Sequence, residues 1–373
     1  MNDANELETQ HAASHGAAWR PILAPLAAVV LIALEQFHIV DETSMPFLAL
    51  AGIVLVATVF SAVHFAEIIS ARIGEPFGSI VLACAITVIE VALIVSMMLA
   101  PSEGDVTVAR DTVFATVMLV LNGVVGLCLL TGGLRHREQS FQSHGAAAAF
   151  SVVGVLATLT LILPNFTLAV EGPYYSTVQL AFVTVVSLVL YGTFLFVQTV
   201  RHRGDFLDIS TPVEAASHAV PSNGQTVLGG AFLVLSLVAV VLLAEALAPA
   251  VETGVAVIGF AEAFVGVVIA AIVLLPEGMT AVRAAALDRL QTSLNVSTGS
   301  AIAGIDRPTL AIAIASFLLG KPLTLGLEGE HIVLLALTLF SGTLTLATGR
   351  TTILQGVVHL VIFACFVLLA AAP

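Results

Sequence analysis

Glu90 and Glu277 are the residues in this sequence best placed to do chemistry, because each lies deep in a long apolar run, Phe77 to Ala100 and Ala263 to Ala284. Each also follows another glutamate by fifteen positions, Glu75 and Glu262, so one E-x14-E spacing occurs in each half of the chain. A carboxylate at membrane depth costs about 2.5–3.5 kcal/mol on insertion scales, so it usually marks an ion or proton pathway. At 1.5 Å per residue, fourteen residues would carry Glu90 about 21 Å along a helix, near the middle of a bilayer. Helical spacing puts Ser79, Ala83, Thr87 and Glu90 on one stripe and Gly266, Ala270, Val273 and Glu277 on another. Small residues on such stripes let helices approach closely, and Thr87 adds an oxygen beside its carboxylate.

Two such stripes, crossing, would bring Glu90 and Glu277 together as a divided cation site. A hard cation such as Ca2+ takes six to eight oxygens, from carboxylates, backbone carbonyls and water. Pro276, directly before Glu277, has no N–H to donate and leaves a helix carbonyl open for that purpose. Two carboxylates held together away from water repel each other, so the empty site is expected to hold protons that an entering metal displaces. The structural alternative is a pair of carboxyl groups hydrogen-bonded to Ser or Thr.

Helices must position this pair. Of 373 residues, 58% are hydrophobic and only 10% are charged, which overrides the two soluble domains that length alone would imply. Apolar stretches long enough to span a bilayer recur from Pro21 to the C-terminus, so the fold class is an all-α polytopic membrane protein. Eleven spans are expected, near 21–38, 46–72, 76–100, 110–132, 146–165, 176–200, 226–248, 259–284, 294–319, 329–348 and 351–371. The polar first eighteen residues read as a tail, not a cleavable signal, and the helix after Arg20 as a retained anchor. With the N-terminus inside, Arg20, Arg72, Arg135, Arg137, Arg201, Arg203, Arg283, Arg289 and Arg350 all fall on the cytoplasmic side, against Arg110, Arg307 and Lys321 elsewhere. The positive-inside rule then predicts N-in, C-out.

Residues 1–45 thus form a tail and an extra helix, 46–200 a first five-helix repeat, 201–225 a cytoplasmic linker and 226–373 a second repeat. Two five-helix halves enter from opposite faces, which makes an inverted repeat with its substrate near the midplane. The linker carries Asp205, Asp208, Glu214, Pro212 and Pro221 and reads as flexible.

Further polar residues have two readings each. Glu75 and Glu262 are vestibule or proton-relay groups, or carboxylates favoured at helix starts. Glu67 is an inner proton relay or an interfacial carboxylate. Asp306 and Arg307 either pair within the ninth span or mark a wet bend ahead of Pro308, the reading the sequence favours. His64 and His359 read as packed imidazoles, and Arg110-Asp111 as a cap on the outer end of its helix. Cys84, Cys128 and Cys365 sit in apolar runs with no metal or redox spacing.

Gly74-Glu75-Pro76-Phe77-Gly78, leading to Thr87-Val88-Ile89-Glu90, resembles the first signature of calcium/proton exchangers. Leu275-Pro276-Glu277-Gly278, running through Leu290-Gln291-Thr292-Ser293-Leu294 to Gly299-Ser300-Ala301, resembles the second. From about residue 46 onward the chain is similar to the bacterial ChaA-type calcium/proton antiporters of the cation/calcium exchanger superfamily. The resemblance implies that Glu90 and Glu277 bind the cation, that Ser300 lines the site, and that Ca2+ is exchanged for H+ across a bacterial inner membrane. Sodium and potassium transport are also attributed to ChaA-type relatives. Many relatives carry Gly-Asn-x-x-Glu in both repeats; Ile86-Thr87 and Val273-Leu274 stand there in this chain, so two amide ligands are lost.

Competing functions leave weaker traces. The net charge of -13 argues against nucleic acid, which needs a basic stripe. No His-Glu-x-x-His is present, and Gly320-Lys321 is followed by Pro322, so neither a zinc protease nor an ATP-driven motor is visible. Ser341 and His359 are the only loose candidates for a serine hydrolase. The expected partners are inorganic cations, protons and the bilayer; no cofactor or ATP is expected, and the sequence leaves the oligomeric state open.

Overall fold

The computed structural model describes residues 20–37, 44–74, 88, 107–208, 221–261, 263–319 and 324–372. Helices α1 (Arg20–Gln36) and α2 (Met45–Ile73) come first. Helix α3 joins an α-helical Val108–Met118 to Val125–His136 through a π-helical turn, Leu119–Val124. Helices α4 (Ser143–Phe166) and α5 (Thr177–Arg201) follow, both ending in π or 3-10 turns. The remainder is α6 (Asn223–Ile258), α7 (Ala263–Ala286), α8 (Leu290–Leu319), α9 (Gly329–Ala347) and α10 (Ile353–Ala371). Two short strands, β1 (Gln139–Ser140) and β2 (Arg350–Thr351), pair antiparallel with Gln139 opposite Thr351.

Eight of the described helices are long and apolar enough to cross a membrane, with α1 a shorter apolar helix. On α5, Val178, Phe182, Val185 and Val189 form one exposed apolar stripe at helical spacing. Water would penalise such a face, and lipid does not. The chain is an integral membrane protein, polytopic and all-α. The expected third span, 76–100, lies outside the described residues. Helix α6 is longer than the expected 226–248, because it continues through Pro249 to Ile258. The proline removes one N–H, a loss a long apolar helix tolerates.

The chain divides into two compact units, Met1–Ser96 with Ala216–Thr253, and Met97–Ala215 with Gly254–Pro373. In the first, α1 packs along α2, and the Phe65 and Phe232 rings stack with centroids 5.4 Å apart. Arg72 closes one end, donating to Asn223 Oδ1 at 2.5 Å and to the Pro221 carbonyl at 3.1 Å.

The second unit holds α3, α4, α5 and α7–α10. Its helices are brought together by glycine. A Cβ on Gly126 would lie 2.9 Å from the Leu360 side chain and one on Gly356 2.5 Å from the Leu130 nitrogen, so α3 and α10 touch backbone to backbone. Helices α3 and α8 also approach at a glycine, where Gly304 faces the Thr116 side chain. At one end, Gln139 donates to the Ala285 carbonyl at 3.0 Å and to Asp288 Oδ1 at 2.9 Å, fixing the turn between α7 and α8. Residues 201–208, expected to open a flexible linker, are folded there: Phe206 is buried and its carbonyl accepts from Asn295 at 2.6 Å. Asp208 accepts from the Thr292 backbone N–H at 3.1 Å, from its hydroxyl at 2.6 Å and from Arg289 at 3.1 Å. At the other end, Arg110 pairs with Asp111 at 2.7 Å and also donates to the Gly326 carbonyl at 3.3 Å. That pair thus ties the α8–α9 loop to α3, a wider task than capping one helix.

Candidate functional site

Helix α7 runs unbroken through Pro276, so the carbonyl of Ile272, one turn earlier, has no backbone N–H at its usual partner position. The Pro276 carbonyl accepts from the Thr280 hydroxyl at 2.9 Å. Leu275 and Met279 are exposed, whereas Ala270, Val273, Leu274 and Ala281 are buried. Glu277 shares the inner face, half-buried, with its Oε2 shielded from solvent. The expected stripe through Gly266, Ala270, Val273 and Glu277 is therefore an inward-facing one. It lies against α3, where Gly266 meets Thr112 and Gly278 meets Val124.

Helix α8 packs beside α7 and has a hydroxyl-rich interior: Ser293, Ser297 and Thr298 are buried and Ser300 is half-buried. Ser297 and Thr298 donate to carbonyls four residues back, at 2.9 and 2.7 Å. Asp306 is buried in the same helix, 2% exposed, and its Oδ1 has no hydrogen-bond partner among the described residues. Arg307 turns away from it to α5, donating to the Tyr191 hydroxyl at 3.1 Å with its guanidinium 5.8 Å from the ring centre. Two expectations are corrected here. No ion pair within 4 Å joins Asp306 to Arg307 among the described residues, and Pro308 does not start the helix, since α8 runs through it from Leu290 to Leu319 with Asp306 buried. Burial among helices lets a proline pass at the cost of one bond, that to the Gly304 carbonyl.

Glu90, Thr87, Glu75 and Glu262 lie outside the described residues. Glu67 and His64 are exposed on α2. Cys128 is buried and Cys365 exposed; both are free thiols, and no metal-binding cluster of His, Cys, Asp and Glu occurs among the described residues. An open cavity of about 620 Å³ at the loop end is lined by Arg110, Asn165, Glu171 and Glu328 and by none of the proposed cation ligands.

The sequence reading missed Asn122. It is fully buried in the π turn of α3 and its amide reaches both α9 and α10: Nδ2 donates to the Thr338 hydroxyl at 2.9 Å, and Oδ1 is 3.1 Å from His359 Nδ1. His359 Nε2 lies 3.2 Å from the Thr345 hydroxyl, so the imidazole belongs to this network and not to a serine–histidine pair with Ser341. The available signal was an amide followed by glycine in the middle of an otherwise apolar run.

The described helices define a polytopic membrane scaffold with a carboxyl group on the inner face of α7, and comparison with known proteins places it. A family model described as "Sodium/calcium exchanger protein" matches residues 43–200 and 228–372. The chain belongs to that family. It is 50% identical to a putative ionic transporter, y4hA, of Sinorhizobium fredii, over 96% of this chain and 98% of that one. It is 30% identical to the sodium-potassium/proton antiporter ChaA of Escherichia coli, over 86% of this chain and 87% of that protein. Among solved structures, native YfkE superposes with a TM-score of 0.69 at 16% identity, covering 95% of this chain and 100% of that one.

Proposed function

We propose that the chain is a secondary-active cation/proton antiporter that exchanges Ca2+ for H+ at a site formed by Glu277 and Glu90, reached alternately from the two sides of the membrane. The observation that carries this reading is Glu277 itself. It is an ionisable side chain on the inner face of a membrane helix, next to a proline that leaves the Ile272 carbonyl open. Carboxylate and carbonyl oxygens are the donors a hard cation takes. Ser300 on α8 and Thr87 supply further oxygens. The same carboxylates carry protons in the cation's absence, so one site exchanges the two species without a separate proton channel. Glu75, Glu262 and Glu67 would serve as vestibule or relay groups.

The two inverted repeats, 46–200 and 226–373, with the linker 201–225 between them, belong to the same proposal, as do an inner-membrane location, a cytoplasmic N-terminus and an external C-terminus. A second reading, Na+ or K+ exchange at the same glutamates, is favoured by the 30% identity to a sodium-potassium/proton antiporter. Calcium is preferred because paired carboxylates suit a divalent charge, and because a Ca2+/H+ antiporter of Aphanothece halophytica is 25% identical over 85% of this chain.

Transport in proteoliposomes under an imposed pH gradient tests both. Calcium should drive proton movement, and Glu277→Gln and Glu90→Gln should each stop it. Full exchange in both variants defeats the two-glutamate site. Exchange with sodium or potassium but not calcium selects the second reading.

A further inference from the structure

The π turn of α3 lies in an apolar run, yet it carries a fully buried amide, and α10 presents a 2% exposed imidazole to it. Polar groups at that depth are costly unless every donor and acceptor is used. Here the bonds can be assigned one by one. The Thr338 hydroxyl donates its proton to the Leu334 carbonyl at 2.8 Å, so toward Asn122 it can only accept, and Asn122 must present Nδ2. Oδ1 is then left to accept from His359, which puts the imidazole proton on Nδ1. Nε2 in turn accepts from the Thr345 hydroxyl. Three helices are joined by one chain of hydrogen bonds.

The chain of bonds holds an irregular piece of backbone. The Val125 N–H reaches the Val120 and Asn122 carbonyls and passes over that of Leu121, which lies instead against the His359 imidazole. A one-turn π bulge of this kind persists only when its surroundings over-determine it, and such bulges occur often at functional sites. What it touches on its other side is the helix of the proposed ligand. A Cβ on Gly278, the residue after Glu277, would come within 3.3 Å of the Val124 methyl, two residues beyond Asn122. The turn and α7 therefore pack closely at the residue after Glu277, where glycine leaves room for the Val124 side chain.

We infer that Asn122 and His359 are positioning residues for the cation site: by fixing the wide turn of α3 they set where α7 presents Glu277. The inference rests on the reading of Glu277 as a cation ligand. A merely structural network would predict lost protein or lost turnover when broken; a positioning network predicts weakened cation affinity in a chain that still turns over.

The test is calcium-dependent proton exchange by the full chain in proteoliposomes, with KM and kcat measured separately and the thermal midpoint recorded. Asn122→Leu and His359→Leu should each raise KM for calcium, roughly fivefold to tenfold for one lost buried hydrogen bond, with kcat within about twofold. His359→Asn keeps a donor near the Nδ1 position and should restore KM to near the parent value. Thr338→Val is the variant of least volume change, should the leucine proteins fail to fold, and it should raise KM in the same sense. Unaltered KM in these variants overturns the inference. So does a fall in kcat alone, or a loss of stability that His359→Asn does not rescue. Glu277→Gln is run alongside: normal exchange in that variant refutes the ligand reading itself, whereas a silent Glu277→Gln with unaltered Asn122→Leu refutes only the positioning role.

Discussion

Arg307 donates to the Tyr191 hydroxyl at 3.1 Å, across from α8 to α5, and leaves its sequence neighbour Asp306 buried behind it. The two helices are thereby tied by a cation whose hydrogen bond goes to the hydroxyl, while its charge still acts on the adjacent carboxyl group. The Arg307–Tyr191 contact and the buried Asp306 are tested by separate mutations.

Tyr191→Phe removes the acceptor and should cost about 1 kcal/mol, seen as a lower thermal midpoint in detergent. Asp306→Asn keeps the shape and removes a carboxyl group whose Oδ1 lacks a partner among the described residues. It should leave the midpoint unchanged or raise it. A midpoint that falls in Asp306→Asn as far as in Tyr191→Phe would show that the carboxyl group has a stabilising partner.

The approach of α3 and α8 depends on the missing side chain of Gly304. A Cβ there would run into the Thr116 methyl, so Gly304→Ala should destabilise by about 1–3 kcal/mol. Thr116→Ser deletes that methyl and keeps the hydroxyl. The double variant should regain most of the loss, a coupling a thermal double-mutant cycle reads directly.

Asp208 anchors the α5–α6 connection to the first turn of α8, through Thr292 and Arg289. Charge-assisted bonds to a helix N-terminus contribute about 1–2 kcal/mol. Asp208→Ala should speed limited tryptic cleavage at Arg201 and Arg203, while Asp208→Asn retains an acceptor and should be cleaved at an intermediate rate. Equal cleavage of all three proteins would mean that the anchor contributes nothing in solution.

If one site carries both ions, protons compete with calcium by mass action. Apparent KM for calcium should rise as pH falls on the loading side, with maximal exchange recovered at saturating calcium. A fall in maximal rate at constant KM would separate the proton route from the cation site.

Much of this arrangement was legible in the sequence. The inward face of α7 follows from Gly266, Ala270, Val273 and Glu277 at helical spacing, because small and acidic residues avoid lipid and the apolar ones opposite, Leu275 and Met279, do not. The π turn was not legible. One extra residue in an apolar run changes neither hydropathy nor composition, and Asn122 reveals its partners only when α9 and α10 fold against it. Asp306 and Arg307 read in the sequence as a wet bend ahead of a helix starting at Pro308, because a proline carries that weight in water. In a packed membrane helix the same proline removes one hydrogen bond and the helix continues through it.

The wide turn in α3 sits between two close contacts: before it, Thr116 meets Gly304 on α8; after it, Gly126 meets Leu360 on α10. A π turn takes about one residue more than an α turn to go once round the axis, so excising one position would let it close to the α form while the residues on either side kept their facing. What would be lost is the carbonyl of Leu121, passed over by the Val125 N–H. The irregular turn thus uses one residue to open backbone toward α10 without disturbing the contacts that flank it.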